Sequence, residues 1–281
     1  MKLKQKKDQF IIALITDFGN TDVEISWARF IAAMLKKGII LLHICDPRRS
    51  PLQTDEAEQE LQGLIERSGL RASGATYAAL RGDSRAIITA LPTLMNAVAV
   101  TARVDPKARR RTANHPKTLL KDFAECKTAF LVAQEPLAHP EQLRHMAFTV
   151  DFRKESKDKF IWSSYFPRFG NITSHVLYYD YSDEFLKRKW YANMQQLHKL
   201  YASLNIGFQP HIISSKSIYP DVNALSFCAE SGIGLLLSVT TKEKDGLEFF
   251  IGVQEERTIV NHQRIPILFL NPREDLYVLC D

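Results

Sequence analysis

The feature that most constrains the fold is an internal repeat of one strand pattern and the residues that end it. Near the start of the chain an apolar run ends in Asp17-Phe18, and a second apolar run ends in Asp151-Phe152. In each half another apolar run follows and ends in an aspartate, Asp46 and Asp180, at the same interval from the first. A repeat of this length indicates two copies of one structural unit.

Within each half, apolar runs of strand length alternate with segments whose apolar residues recur at helical spacing. In the first half Val23, Trp27, Ile31 and Met34 share one helix face. Alternation of this kind predicts a parallel sheet covered by helices on both faces. We therefore predict an α/β fold of two tandem doubly wound, Rossmann-like domains, residues 1–140 and 141–281. The predicted strands of the first half are 10–15, 39–45, 75–80, 97–102 and 128–133.

Composition sets limits on the location and partners of the protein. The chain has 281 residues, enough for two domains, and a formal charge of +5 that does not by itself imply nucleic acid. Its four cysteines are scattered, which favours reduced thiols over a disulfide framework or a zinc site. The basic start precedes an apolar run too short to span a membrane. We expect a cytoplasmic protein without a membrane or nucleic-acid partner and without a bound metal.

The last third of the chain carries a family resemblance. Phe249-Phe250-Ile251-Gly252, then Ile259 to His262, then the Pro266-led apolar run resemble the closing glycine, helix and strand of the universal stress protein family. The two Asp-Phe strand ends fit the same family. The resemblance implies a five-stranded parallel sheet of order 3-2-1-4-5 in each half, with a ligand crevice between strands 1 and 4. It also implies an internal pseudo-dimer of the two domains, and it allows a homodimer of the chain. Residues 271–281 either add a strand or cover a sheet edge.

In the nucleotide-binding branch of this family, the first-strand aspartate faces adenine and a loop of form G-x2-G-x9-G-(S/T) holds the phosphates. The resemblance assigns the aspartate to Asp17 or Asp151, and the end of the second-half loop to Gly252 and Val253. The first two glycines of that loop are replaced by Val239 and Lys242. A side chain at these positions blocks approach of the backbone to a phosphate, which argues against ATP binding in the family's manner.

The first half departs further from the glycine loop. Its corresponding stretch, Arg103 to Ala113, has no glycine and carries Lys107 and Arg109-Arg110-Arg111. The basic cluster either attracts an anion through its side chains or is a solvated loop. The aspartates have two interpretations as well: Asp17 and Asp151 either face a ligand or cap the turn that follows the first strand.

No catalytic motif stands out, since the chain lacks GxxxxGK[ST], HExxH and GxSxG. Gly82-Asp83-Ser84 is interpreted as a helix start. The leading hypothesis is a non-enzymatic tandem universal stress protein with no expected cofactor, which acts through an unidentified protein partner or a small anionic ligand. The alternative is an ATP-binding member with slow hydrolysis that uses Asp151, Lys242, Gly252 and Val253. A nucleotide-processing enzyme on the same fold is a third hypothesis, without visible catalytic residues.

Overall fold

The computed structural model describes residues 8–213, 220–240 and 254–272. The chain divides into two compact units, Met1–Leu137 and Ala138–Asp281. Strands and helices alternate along both, and the paired strands in each unit run parallel. The predicted α/β class with a parallel sheet is confirmed. Within the described ranges, no helix is both long and apolar enough to cross a membrane.

The first unit is a parallel sheet with helices between its strands. Its strands are β1 (Phe10–Leu14), β2 (Gly38–Cys45), β3 (Thr76–Arg81), β4 (Ala97–Arg103) and β5 (Ala129–Ala133). Its helices are α1 (Asp22–Leu35), α2 (Thr54–Arg67), α3 (Ser84–Leu94) and α4 (Pro116–Phe123). β1 pairs with β2 on one side and β4 on the other, while β3 and β5 extend the sheet outward.

The centre of this sheet is apolar on both faces, as a parallel sheet covered by helices requires. Ile12 is fully buried and lies opposite Ile40 on β2 and Val100 on β4. Trp27 on α1 is also buried, as its place in the helical pattern predicts.

Two helix ends show how local residues set the boundaries. Asp83 caps α3 by accepting a hydrogen bond from the Ala86 backbone N–H at 2.9 Å, so Gly82-Asp83-Ser84 is a helix start as predicted. At the end of α1 the left-handed residue is Lys36, with φ 54°, and Gly38 already begins β2. A Cβ on Gly38 would lie 2.8 Å from the Phe10 ring, so this glycine allows close strand packing.

The second unit follows the same alternation. Its strands are β6 (His145–Thr149), β7 (Thr173–Tyr178), β8 (Gln209–Ile212), β9 (Leu236–Val239) and β10 (Ile267–Leu270). Its helices are α5 (Asp158–Phe169), α6 (Glu184–Ser203), α7 (Pro220–Glu230) and α8 (Gln254–Ile259). β6 pairs with β7 and β9, β7 with β8, and β9 with β10. The apolar run after Pro266 is the fully buried strand β10, as predicted.

Candidate functional site

A cleft of 360 Å³ opens at the carboxyl ends of the strands in the first unit. β1 lies between β2 and β4 in the sheet. The connection that follows β1 and the one that follows β4 therefore run to opposite sides, and open α/β sheets bind ligands in the crevice between two such strands. The cleft walls come from the ends of β1 and β2, the loops after β2 and β4, and the helices α3 and α4. The residues that line it are 14–18, 43–44, 49–52, Ser84, Ile88, 112–114, Leu119 and Asp122.

Asp17 lies in the wall of this cleft, directly after β1. One carboxylate oxygen accepts the Gly19 backbone N–H at 3.0 Å, and the other accepts a guanidinium N–H of Arg103 at 2.9 Å. The Asp17 side chain is 51% exposed, whereas that of Arg103, at the end of β4, is 9% exposed. Asp17 therefore holds the turn and also presents a carboxylate to the cleft.

Glu24 lies on α1 beneath this ion pair and is fully buried. Its backbone carbonyl accepts the Thr101 hydroxyl of β4 at 2.8 Å. Among the described residues, three buried side-chain atoms here lack a hydrogen-bond partner: both carboxyl oxygens of Glu24 and the Nε of Arg103. Burial raises the pKa of Glu24 to about 8, and the Arg103 charge opposes this shift. Glu24 is therefore protonated at neutral pH and leaves Arg103 to pair with Asp17.

His43 on β2 forms another part of the cleft wall. Its Nδ1 lies 2.8 Å from the Ile15 carbonyl and its Nε2 lies 3.0 Å from the Ser50 hydroxyl. A carbonyl can only accept, so the proton is on Nδ1, and Nε2 accepts the hydroxyl of Ser50. Burial lowers the pKa of His43, although the bond to the Ile15 carbonyl opposes this shift. The Phe18 ring lies 5.0 Å from the imidazole, between centroids.

Arg48 and Arg49 follow β2, and carboxylates hold both of their guanidinium groups. Arg48 donates from Nε and a terminal nitrogen to the two oxygens of Asp46, at 3.0 and 2.9 Å, and also pairs with Asp83. The Arg48 guanidinium holds the pKa of Asp46 well below its usual range. Arg49 donates to both oxygens of Asp122 on α4. Both guanidinium groups are therefore fixed in place.

A second concavity, which we call the basic groove, shares Arg49 with the cleft. It encloses 720 Å³ and is lined by Arg48, Arg49, Arg110, Arg111, Lys117, Thr118 and Lys121. The structure thus divides the basic cluster of the sequence, because Arg110 and Arg111 line the groove and Lys107 and Arg109 do not. Thr118 of α4 donates its hydroxyl proton to the Arg110 carbonyl at 2.8 Å and so ties the loop to the helix.

In the second unit, Asp151 occupies the position that corresponds to Asp17 but is 3% exposed. Its carboxylate accepts the Arg153 backbone N–H at 3.0 Å, the Arg153 Nε at 2.7 Å and the Ser156 hydroxyl at 2.6 Å. Burial by itself would raise the pKa of Asp151, but the Arg153 and Lys159 charges lower it below its usual value. This carboxylate is satisfied by groups of its own chain.

Lys159 on α5 is also buried, at 2% exposure. It donates to the Thr149 hydroxyl at 3.0 Å, and Thr149 donates to Asp221 on α7 at 3.0 Å. The Ser238 hydroxyl of β9 donates to the other Asp221 oxygen. The carboxyl ends of β6 and β9, which correspond to β1 and β4, are therefore joined by side chains of the protein itself.

The remaining predicted site residues, Lys242, Gly252 and Val253, lie outside the described residues. Sequence reasoning did not identify His43, Lys117 or Lys121, nor the Arg48-Arg49 pair. The position of Arg48-Arg49 directly after Asp46-Pro47 is the signal that could have found them, since it puts them at the carboxyl end of a predicted strand. In the described part of the chain, no group of three or more His, Cys, Asp or Glu side chains could hold a metal ion.

Solved structures of universal stress proteins resemble this chain over nearly its full length. A proposed universal stress protein from Pseudomonas aeruginosa UCBPP-PA14 is 15% identical, with a TM-score of 0.66 over 97% of this chain and 96% of its own. A universal stress protein from Archaeoglobus fulgidus DSM 4304 is 12% identical, with a TM-score of 0.66 over 95% and 97%. The cytoplasmic domain of a prokaryotic cation chloride cotransporter is 11% identical, with a TM-score of 0.57 over 97% and 99%.

No protein-family model matches the sequence, and no curated protein matches it. At these identities the likeness concerns the fold, which is that of the universal stress proteins. The resemblance stated from the sequence is confirmed at this level.

Proposed function

We propose that the chain is a non-enzymatic binding protein of the universal stress protein type, made of two tandem copies of one domain, and that its first unit holds a small anionic ligand. The proposal rests on the 360 Å³ cleft, which lies where doubly wound sheets bind ligands and shares Arg49 with the basic groove. The fold itself does not choose between a ligand and a protein partner, because it also occurs in the cytoplasmic domain of a cotransporter.

The cleft lining suits a small molecule that has both an apolar and a charged part. Ile88 and Leu119 supply apolar wall, and Ser50 and Asn114 supply polar groups. The volume falls within the range of about 300–1,000 Å³ that is typical of small-molecule sites. Arg49 is the cation in the cleft wall, and both carboxylates of the lining are paired, Asp122 with Arg49 and Asp17 with Arg103.

The Ser50 hydroxyl and the His43 Nε2, 3.0 Å apart, have the spacing of a nucleophile and a base. In a catalytic triad a carboxylate stabilises the imidazolium that forms when the base takes the proton. Here the Nδ1 partner is the Ile15 carbonyl, and burial lowers the pKa of His43. Both features disfavour the imidazolium, so the contact serves to orient the cleft wall.

ATP binding in the second unit stays the alternative. A ligand that uses Asp151 would have to replace the bonds from Arg153 and Ser156 within a buried site. Loss of such charged hydrogen bonds costs about 1.5–3 kcal/mol each unless the ligand restores them. This cost supports the first unit over the second.

The test is mass spectrometry of the small molecules released from the purified, denatured protein. We expect an anion in amounts approaching one per chain, and we expect Arg49→Ala to retain at least tenfold less because the wall loses its cation. Arg85→Ala is the control for loss of one arginine charge, since Arg85 pairs with Glu125 at the surface and does not line the cleft. Equal retention by the two variants, or release of ATP that disappears in Asp151→Ala, would overturn the proposal.

A further inference from the structure

The basic groove is a second candidate site, distinct from the cleft in its lining. Six of its seven lining residues are cationic and the seventh, Thr118, is polar. Among the described residues, the carboxylates paired with its arginines are Asp46, Asp83 and Asp122. These carboxylates pair with Arg48 and Arg49, and Arg110, Arg111, Lys117 and Lys121 add further positive charge to the lining, so the groove attracts anions.

We propose that the basic groove binds a linear oligophosphate, for which inorganic triphosphate is the simplest example, through side chains alone. Guanidinium groups match phosphate oxygens with paired hydrogen bonds, and the ammonium groups of lysine add point charges. The residues that would contact successive phosphates are Arg110 and Arg111 on the loop and Lys117 and Lys121 on α4.

The elements that carry the groove cations are held together by bonds within the protein. Asp46 and Asp122 fix the two arginines that follow β2. The loop after β4 is closed by a hydrogen bond from the Asp105 N–H to the Asn114 carbonyl, at 3.0 Å. The bond from Thr118 to the Arg110 carbonyl holds this loop against α4. Cations held together in this way repel one another, and a multiply charged anion relieves that repulsion.

The shape and lining of the groove select among anions. Its 720 Å³ volume exceeds what one phosphate needs, which favours a chain of phosphates. Proteins that bind single-stranded nucleic acid combine cations with aromatic side chains on which the bases stack. The described residues that line the groove include no aromatic side chain. Phosphates are therefore the part of a ligand that this surface recognises.

Binding to the groove can be separated from binding to the cleft because Arg49 is the only residue in the described part of the chain that lines both. Arg110→Ala/Arg111→Ala removes two exposed groove cations and leaves the cleft wall intact. We expect this variant to retain the cleft anion at the wild-type level. Loss of triphosphate binding with the cleft anion retained therefore concerns the groove alone.

The experiment is calorimetric titration of the full chain with sodium triphosphate, orthophosphate, a thymidine oligonucleotide and a glutamate-rich peptide. We expect triphosphate to bind at least tenfold more tightly than each of the others, with an affinity that falls as salt rises. Arg110→Ala/Arg111→Ala weakens triphosphate binding about tenfold or more. Lys117→Ala/Lys121→Ala removes two groove cations from α4, so it replaces the loop variant as the test if that variant folds poorly. We expect the same loss of triphosphate binding.

The matched control is Lys107→Ala/Arg109→Ala, which removes two exposed cations of the same loop that do not line the groove. We expect it to change the affinity by less than about twofold, as for a solvated surface charge. An equal loss in both loop variants would mean that net charge alone attracts the anion. Tighter binding of the oligonucleotide or the peptide would assign the groove to that partner, and absence of triphosphate binding would refute the site.

Discussion

At the scale of single residues, Glu24 has the environment least expected from the sequence. As an acidic residue in the first turn of α1 it fits the helix dipole and has the pattern of an exposed side chain. Its burial results from the packing of α1 on β4, shown by the bond from the Thr101 hydroxyl to its carbonyl. That contact joins positions far apart in the chain, so no local pattern predicts it.

The raised pKa of Glu24 makes stability depend on pH in a defined direction. Its pKa is 4.5 in an ordinary environment and about 8 in the folded protein. Between these values the folded state holds a proton that the unfolded state has released. The free energy of unfolding therefore falls as the pH rises through this window, by at most about 1.4 kcal/mol per pH unit for this group.

Glu24→Gln tests this dependence, because glutamine resembles the protonated carboxyl and does not titrate. We expect the variant to gain stability relative to wild type as the pH rises from 5 to 8, measured by urea denaturation. Glu58→Gln, at an exposed position of α2, serves as the control and should show no such gain. A wild-type to Glu24→Gln difference that stays constant from pH 5 to 8 would show that Glu24 titrates normally.

At the scale of elements, the sequence predicts those boundaries that local residues set. The predicted strands 39–45 and 97–102 agree with β2 and β4 to within one residue, and α3 starts at Gly82-Asp83-Ser84 as predicted, since caps and apolar spacing act within a few residues. The site depends on more distant pairs. Arg49 and Asp122 are 73 positions apart, and Asp17 and Arg103 are 86 apart. The sequence could therefore place Asp17, Arg110 and Arg111 near a crevice but not identify their partners.

Helix α3 contains Pro92, which cannot donate a hydrogen bond to the Ile88 carbonyl one turn earlier. The buried Cys126 thiol donates to that carbonyl instead, at 3.3 Å. Burial raises the pKa of the Cys126 thiol, so it stays protonated and able to donate. This cysteine, which the sequence identified only as a reduced thiol, thus replaces a missing backbone donor.

We expect Cys126→Ala to lower the free energy of unfolding by about 1–3 kcal/mol, since a buried carbonyl loses a donor. In a Pro92→Ala background the restored backbone N–H serves the same carbonyl, and the cost of Cys126→Ala should shrink by about 1 kcal/mol. The four proteins of this cycle are compared by chemical denaturation. Equal costs in the two backgrounds would mean that the thiol and the proline act independently.

At the scale of the whole molecule, one fold supports two different arrangements at equivalent places. In the first unit the carboxylate after the first strand is half exposed and faces a cleft, and in the second it is buried among donors of its own chain. The apolar spacing in the sequence predicted the α/β fold with a parallel sheet, because such spacing survives extensive substitution. It did not predict which unit holds the cleft, and the family motif pointed to the second.

The central claim, an anion site in the first-unit cleft, is most directly tested by filling that cleft without changing its charge. Ala113→Trp places an indole at a cleft-lining position, and Ala108→Trp is the control on the same loop. Calorimetric titration with the anion released from the wild-type protein should give one site per chain in wild type, Ala108→Trp and Asp151→Asn. Ala113→Trp, folded by circular dichroism, should bind at least tenfold more weakly. Unchanged binding by Ala113→Trp, with binding lost in Asp151→Asn, would contradict the claim and place the site in the second unit.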